Sequence, residues 1–368
     1  MADPLLTLDY KPHLPPKTDY GIALVGAGGI VNFAHLPAYR KAGFKVLGCY
    51  DIRAEAAEQT ARAHNMPRVY RSLDELLNDP SVEIVDIAVR PWDQLQVVQQ
   101  VTAAHKHLLC QKPLSDQYAD AVEIVRLANA AGVKLAVNHQ LRWGPGIRAA
   151  KRLLEDGWLG DLIEAQFMVS TLTPFEYWPW MADYPRYDIL LDSIHYIDAF
   201  RFLFGDPEWV TSRHARLPGQ SFRGETKTIT IWDYPNDFQA LVAQNAHDWS
   251  TDRYAFCRIL GREGWARSTL RSALEYPNVQ PDTIEWLSRE RYPGTRFNLT
   301  LEGTWIPDAF VGPMAGLMEA IQTGGRPPTA GEDSLGTLRV VEACYRSAAE
   351  NRSVRPDDMT AIQARGRT

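Results

Sequence analysis

From residue 20 to about residue 137, short apolar runs rich in β-branched residues alternate with amphipathic stretches, the pattern of βαβ units built on a parallel sheet. The runs 21–25, 44–50, 83–89, 107–110 and 133–137 predict strands, with a short further one at 68–70. Between them, 54–64 and 116–131 predict helices, the second followed by Gly132, which suits the left-handed residue that closes many helices. Beyond about residue 144 the alternating runs lengthen, at 162–172, 226–232, 238–247 and 254–260, and predict a large, open and mostly antiparallel sheet. A helix over 189–204, stopped by Gly205 and Pro207, interrupts that sheet, and helices over 308–323 and 333–350 finish the chain. In the first of these, Phe310, Val311, Met314, Leu317, Met318 and Ile321 keep helical spacing, which marks a core face rather than a methionine-rich binding stripe.

The earliest run carries chemistry. Residues 22–31, IALVGAGGIV, place a glycine-rich turn directly after a buried strand and before a helix, where backbone amides and the helix dipole can hold a pyrophosphate. Gly26 permits the tight turn, Gly28 lets a phosphate approach the backbone, Gly29 and Ile30 lead into the helix, and Val31 stands where the GxGxxG pattern has its third glycine. Asp51 ends the second strand close to the ~20-residue offset at which an acidic residue binds an adenosine ribose. A carboxylate there repels a 2'-phosphate, so NAD is expected over NADP, with Arg53 two residues on as a partial counterweight. The fold class that follows is an α/β N-terminal Rossmann domain with a doubly wound parallel sheet, then an α+β domain with a large, mostly antiparallel open sheet. The expected division is an extended proline-containing arm over 1–18, the NAD-binding domain over 19–143, and a substrate-binding and oligomerisation domain over 144–368.

Composition narrows the partners. A chain of 368 residues exceeds one ordinary core, and 45% hydrophobic with 23% charged residues argues against long disordered tracts. A net charge of -6 offers no basic footprint for nucleic acid. Cys49, Cys110, Cys257 and Cys344 are scattered without a CxxC pair, so neither a zinc site nor a disulfide framework is expected, and free thiols point to the cytoplasm. No apolar run approaches the ~20 residues that span a bilayer, and the N-terminus does not have the make-up of a signal peptide. The expected partners are a small carbohydrate-like substrate and no metal, nucleic acid or membrane.

Four segments together resemble the Gfo/Idh/MocA family of oxidoreductases, across almost the whole chain: Gly26-Ala27-Gly28-Gly29-Ile30 with His35-Leu36-Pro37-Ala38, then Gln111-Lys112-Pro113, then His195-Tyr196-Ile197-Asp198, and finally Gly325-Arg326-Pro327-Pro328. The resemblance implies NAD or NADP as cofactor, a homodimer or homotetramer formed through sheet faces, a lysine beside the nicotinamide, and an aspartate and a histidine contacting the substrate. Carried over, these are Lys112, Asp192 and His195, with Pro113 as a candidate cis-proline. Two departures stand out. Gln111 replaces the family's glutamate, and Asp192 precedes His195 by three residues where inositol dehydrogenases commonly have four, which leaves Asp188, one turn back, as the alternative acid.

Hydride transfer from a carbinol carbon needs a base for the hydroxyl proton, which suits His195, and a cation for the developing alkoxide, which suits Lys112. Asn138, Gln140 and Arg142 follow the sixth strand at alternate positions, at the strand end where such sheets bind ligands. Arg90 and Trp92 stand at the same edge after the fourth strand. The segment 175–187 holds Tyr177, Trp178, Trp180, Tyr184, Arg186 and Tyr187, a composition fitting either a sugar ring or a protein contact. Arg142 and Arg186 are candidates for a carboxylate on the substrate. The leading expectation is an NAD(H)-dependent dehydrogenase or reductase acting on the CH–OH group of a sugar, sugar acid, cyclitol or glycoside. A redox-neutral, NAD-dependent glycoside hydrolase and a non-catalytic NAD-binding regulator are the alternatives.

Overall fold

The computed structural model describes residues 8–276 and 278–361. Of the arm expected over 1–18, residues 1–7 lie outside that range, and 8–18 carry no helix or strand. The chain divides into two compact units, one of residues 12–140 with 307–338, the other of 141–306 with 339–361 and 8–11. Residues 307–338, expected within the second domain, thus group with the first unit.

The first unit is built on β1 (Ile22–Val25), β2 (Val46–Tyr50), β3 (Arg68–Val69), β4 (Ile84–Ile87), β5 (His107–Cys110) and β6 (Leu135–Val137). All pair in parallel, in the order β3-β2-β1-β4-β5-β6. The order reverses between β1 and β4, the doubly wound arrangement that opens a ligand crevice at the strands' carboxyl ends. Every residue of β1 and β4 is buried, because helices cover both faces of such a sheet, and that is why these strands read as unbroken apolar runs. The helices are α1 (Leu36–Ala42), α2 (Ala54–His64), α3 (Leu73–Asn78), α4 (Gln94–Ala103) and α5 (Tyr118–Ala130). Ser72 caps α3 by accepting the Glu75 N–H at 3.0 Å. Gly132, just past α5, has φ +68°, as the sequence suggests.

The second unit starts with α6 (Pro145–Glu155) and β7 (Leu162–Ser170). The helix expected over 189–204 is two pieces, a wide π turn Asp188–Asp192 and then α7 (Ile194–Phe204). There follow β8 (Trp209–Ala215), β9 (Lys227–Asp233), β10 (Gln239–Asn245), β11 (Tyr254–Gly261), β12 (Gly264–Thr269), a short α8 (Arg271–Glu275), β13 (Thr283–Ser288) and β14 (Arg296–Thr300). The sheet runs β14-β13-β12-β11-β7-β10-β9-β8, with β10 and β7 its one parallel pair. One face is buried and aromatic, with Phe200 of α7 packed 4.6 Å from Phe167 and 5.7 Å from Trp232, centroid to centroid. The opposite face carries an apolar cross-strand row, Ile229, Ala243, Met168 and Phe256, and Ile229 and Ile231 are 45% and 42% exposed. Two helices complete the chain, α9 (Val311–Thr323), which belongs to the first unit, and α10 (Gly331–Glu350). Phe310 and Met314, Leu317 and Met318 of α9 are buried, in keeping with a core face. Among the described residues, no helix is long and apolar enough to cross a membrane.

Candidate active site

The glycine turn follows β1. Gly26 has φ +102°, and a Cβ there would lie 2.5 Å from the Ala88 carbonyl oxygen, so only glycine fits. At Gly28 the opposite holds, for a Cβ would meet nothing within 4 Å. A cavity of about 360 Å3 opens there, lined by Gly28, Gly29, Asn32, Arg53 and Thr60 among others. Ile30 leads into a π turn Val31–His35 that runs on into α1. Val31, in place of the third glycine, is fully buried with Leu24, Cys49 and Ala57. The turn is braced from below by Asn32, whose Nδ2 donates to the carbonyls of Ala27 (3.2 Å) and Gly28 (2.9 Å) and to Thr60 Oγ1 (3.0 Å).

Asp51, at the end of β2, sits against this turn. Its Oδ2 accepts the Ala27 N–H at 2.8 Å and its Oδ1 the Arg53 N–H at 2.9 Å. Each carboxylate oxygen retains acceptor capacity for a hydroxyl. An open approach at Gly28, a helix start behind it and an acidic acceptor at the second strand fit the pyrophosphate and ribose of a dinucleotide. Further along the sheet's carboxyl edge, Arg90 is exposed and lies 5.8 Å from the Trp92 ring. The Lys112–Pro113 peptide is cis, as the sequence suggests, and Lys112 is half-buried. Asn138 is buried, with its Nδ2 3.3 Å from His35 Nε2. Gln140 is buried as well.

In the second unit the π turn before α7 gathers the remaining candidates. Ser193 N–H reaches back to the Asp188 carbonyl at 2.6 Å, closing the wide loop, and such single π turns recur at functional sites. Glu225, from outside the helix, satisfies donors at its start, taking the Tyr187 N–H at 3.3 Å and the Ile189 N–H at 3.1 Å, and it also accepts from Tyr345 Oη at 2.5 Å. The two aspartates diverge. Asp188 is fully buried, bonded by Thr228 and Ser193. Burial, reinforced by the charge of Asp192, pushes its carboxyl well above the ordinary range. Asp192 is half-buried, and its Oδ2 accepts from Gln244 Nε2 at 2.5 Å and Tyr187 Oη at 3.3 Å. His195 is 8% exposed, its ring edge-on to Trp305 at 5.0 Å.

Two expectations change. Arg142 and Arg186, candidates for a substrate carboxylate, are both engaged internally. Arg142 forks onto Asp198 with two 2.7 Å bonds, and Arg186 pairs with Glu342 at 2.5 Å while lying 4.2 Å from the Tyr345 ring. The fork uses two of the five N–H donors of Arg142 and sets its charge against that of Asp198, as Glu342 does for Arg186. Tyr187 is 1% exposed and braces Asp192. Trp178 stacks loosely in a cluster with Tyr177 and Tyr276, at 6.0 and 5.5 Å. Sequence reasoning missed Glu225, Thr228, Gln244 and Trp305, which no local spacing ties to His195. It also missed Asp86, although a carboxylate inside the apolar run 83–89 was a visible sign.

Comparison with known proteins gives the arrangement a lineage. A D-apiose dehydrogenase of Paraburkholderia graminis is 27% identical over 346 residues, covering 90% of this chain and 88% of that protein. A 1,5-anhydro-D-fructose reductase of Ensifer adhaerens is 27% identical over 335 residues, covering 89% and 95%. An oxidoreductase from Agrobacterium radiobacter, solved with NAD+, L-tartaric acid and magnesium, superposes with a TM-score of 0.82 at 24% identity, covering 93% of this chain and all of that one. Residues 20–139 match the model of the oxidoreductase family's NAD-binding Rossmann fold and residues 151–355 that of its C-terminal α/β domain. The chain is therefore an NAD-binding oxidoreductase of the Gfo/Idh/MocA family.

Proposed function

We propose that this oxidoreductase interconverts a secondary hydroxyl and a carbonyl on a sugar or a sugar-like polyol, with the six-stranded unit holding the cofactor and the eight-stranded unit holding the substrate. The observation that carries this reading is the placing of Asp192, half-buried and braced by Gln244 and Tyr187 at the start of α7, three residues before the buried His195. Relatives aligned over nearly their whole length that are named for D-apiose and 1,5-anhydro-D-fructose support the substrate class.

NAD supplies the site that accepts or donates the hydride. Gly28 and Gly29 receive its pyrophosphate, Asp51 takes the adenosine ribose hydroxyls, and Arg90, Trp92 and Asn138 line the approach to the nicotinamide end. His195 accepts the substrate's hydroxyl proton during oxidation and returns it during reduction. Asp192 orients His195 and bonds a neighbouring hydroxyl. Asp188, enclosed and bonded by Thr228 and Ser193, supports the turn. Lys112 offsets the negative charge that grows on the substrate oxygen. With Arg142 and Arg186 engaged inside the protein, neutral sugars fit better than sugar acids. Trp178 and Tyr177 offer aromatic faces to a sugar ring, and the exposed row around Ile229 and Ile231 suits a homodimer or homotetramer. The four buried, unbridged cysteines suit the reducing cytoplasm.

The test incubates the protein with NAD+ and D-apiose, other aldoses, inositols and glycosides, and with NADH and 1,5-anhydro-D-fructose, following NADH absorbance and aglycone release. NADH formed or consumed with one neutral sugar supports the reading, and turnover confined to sugar acids overturns the preference drawn from the arginines. His195→Ala is expected to lower kcat by about 100-fold or more while NAD+ affinity holds. Undiminished turnover in that variant removes His195 as the base.

A further inference from the structure

Below the proposed position of Lys112, in the first unit, lies a buried polar network that the reading above does not use. His35, Tyr39, Asp86 and Gln94 are all fully buried, and Gln111 and Asn138 nearly so. Asp86 Oδ2 receives His35 Nδ1 at 2.7 Å and Tyr39 Oη at 2.8 Å. On the far side of the ring, Nε2 lies 3.0 Å from Gln111 Nε2 and 3.3 Å from Asn138 Nδ2. Both neighbours are amide N–H donors, so Nε2 is the acceptor and the ring proton sits on Nδ1, facing the carboxylate.

The network ends on the backbone around Lys112. Gln111 Oε1 accepts the Lys112 N–H at 2.8 Å. Gln94 Nε2 donates to the carbonyl of Gln111 at 2.9 Å and to that of Pro113 at 2.7 Å. The residue that carries the lysine is thus held at its own N–H and at the carbonyls on either side. The hold on the N–H passes through Gln111 to an imidazole that Asp86 orients. Asp86 Oδ1, Gln94 Oε1 and Asn138 Oδ1 are buried and accept from no donor among the described residues, so the bonds named above carry the geometry of this network.

We propose that His35, oriented by Asp86, is a positioning residue for Lys112 and acts through Gln111. The departure at position 111 then has a physical reason. A glutamine offers an N–H to an imidazole that is already protonated on the Asp86 side, whereas a glutamate carboxylate there has no N–H to offer and needs an added proton between it and Nε2. Gln111 and the singly protonated form of His35 are matched to each other.

The inference rests on the reading of Lys112 as catalytic, and the experiment separates the two. In the full-length protein, 15N-histidine NMR is expected to show His35 protonated at Nδ1 alone. A wild-type ring protonated at Nε2 overturns the proposal. Gln111→Met, close in size and lacking both links, is expected to change the trace acetylation rate of Lys112, read by mass spectrometry, while exposed Lys227 is unaffected. It is also expected to lower kcat about 10- to 100-fold, on the substrate with the highest turnover in the panel, with KM for NAD+ within about twofold. His35→Gln, should it fold, is expected to share the labelling change. Wild-type labelling of Lys112 in Gln111→Met overturns the proposal whether or not a substrate has been found. Full turnover in Lys112→Met defeats the catalytic reading instead and leaves the labelling and NMR results to judge the network.

Discussion

The glycine turn after β1 and the π turn before α7 carry the two groups of candidate site residues, yet they are held in opposite ways. Around the glycine turn the bracing is short in sequence. Asn32 lies within five residues of the carbonyls it binds and Asp51 is 24 residues from Ala27, while the close approach at Gly26 is to Ala88, 62 residues away beyond the neighbouring strand. Around the π turn, Asp192 depends on Gln244, 52 residues away, and Tyr187 and Ile189 on Glu225, 38 and 36 residues away. In the function proposed above, backbone groups and glycines do the binding at the first, whereas side chains held by other side chains do it at the second. The first is written locally and tolerates little change at a few positions. The second is spread over the sheet and can move its acid by one residue without losing the helix behind it.

That contrast can be broken most severely at the glycines. Gly26→Ala drives a Cβ into the Ala88 carbonyl and is expected to cost about 2–4 kcal/mol of stability and to abolish NAD+ binding. Gly28→Ala meets open space and is expected to leave stability within about 0.5 kcal/mol while weakening NAD+ about tenfold or more. Thermal melts with NAD+ titration check both, and equal melting losses would refute the local account. Next in size, Asp192→Asn is expected to lower kcat about 100-fold, with Asp188→Asn costing at most about threefold, because Asp188 is fully buried and burial favours its neutral form. Reversed sensitivities would transfer the acid's role to Asp188.

Asp51→Ala is expected to lower the ratio of NAD+ to NADP+ efficiency about tenfold, measured as kcat/KM with each cofactor, and an unchanged ratio would leave Asp51 only as a brace for the turn. The smallest effect concerns Asp282, a second buried carboxylate of the larger sheet's unit, whose carboxyl burial raises to about 7. Unfolded, it titrates near 4. Between those values the folded chain holds a proton that the unfolded chain has released, so stability falls as pH rises through this window and stays lower above it. Asp282→Asn keeps the acceptor for the Arg271 N–H, 2.7 Å away in the wild type. The variant is expected to be about 1 kcal/mol more stable than wild type at pH 8, with no gain at pH 4. Urea unfolding at the two pH values decides it.

The sequence by itself determined the first unit nearly strand by strand, since a parallel sheet covered on both faces forces continuous apolar runs and its ligand turn forces glycines at set offsets. It also located His107–Cys110 and Ala54–His64 with their observed ends, the regular helices of the chain's finish, and the motifs around Gly26, Lys112 and His195. β8, β12, β13 and β14 escaped it. Arginine, threonine, asparagine and glutamate take many of their outward positions and Ser212, Ser268 and Ser288 take inward ones, so only pairing with neighbours makes such segments strands. Tertiary structure alone decided which acid is enclosed, because a π turn in place of a regular one rotates Asp188 and Asp192 to different surroundings. It also decided that Arg142 and Arg186 face partners within the protein, and that His35, Asp86 and Gln111 meet. Spacing along a chain specifies which residues share a face, but not what a sheet built from distant segments places opposite that face.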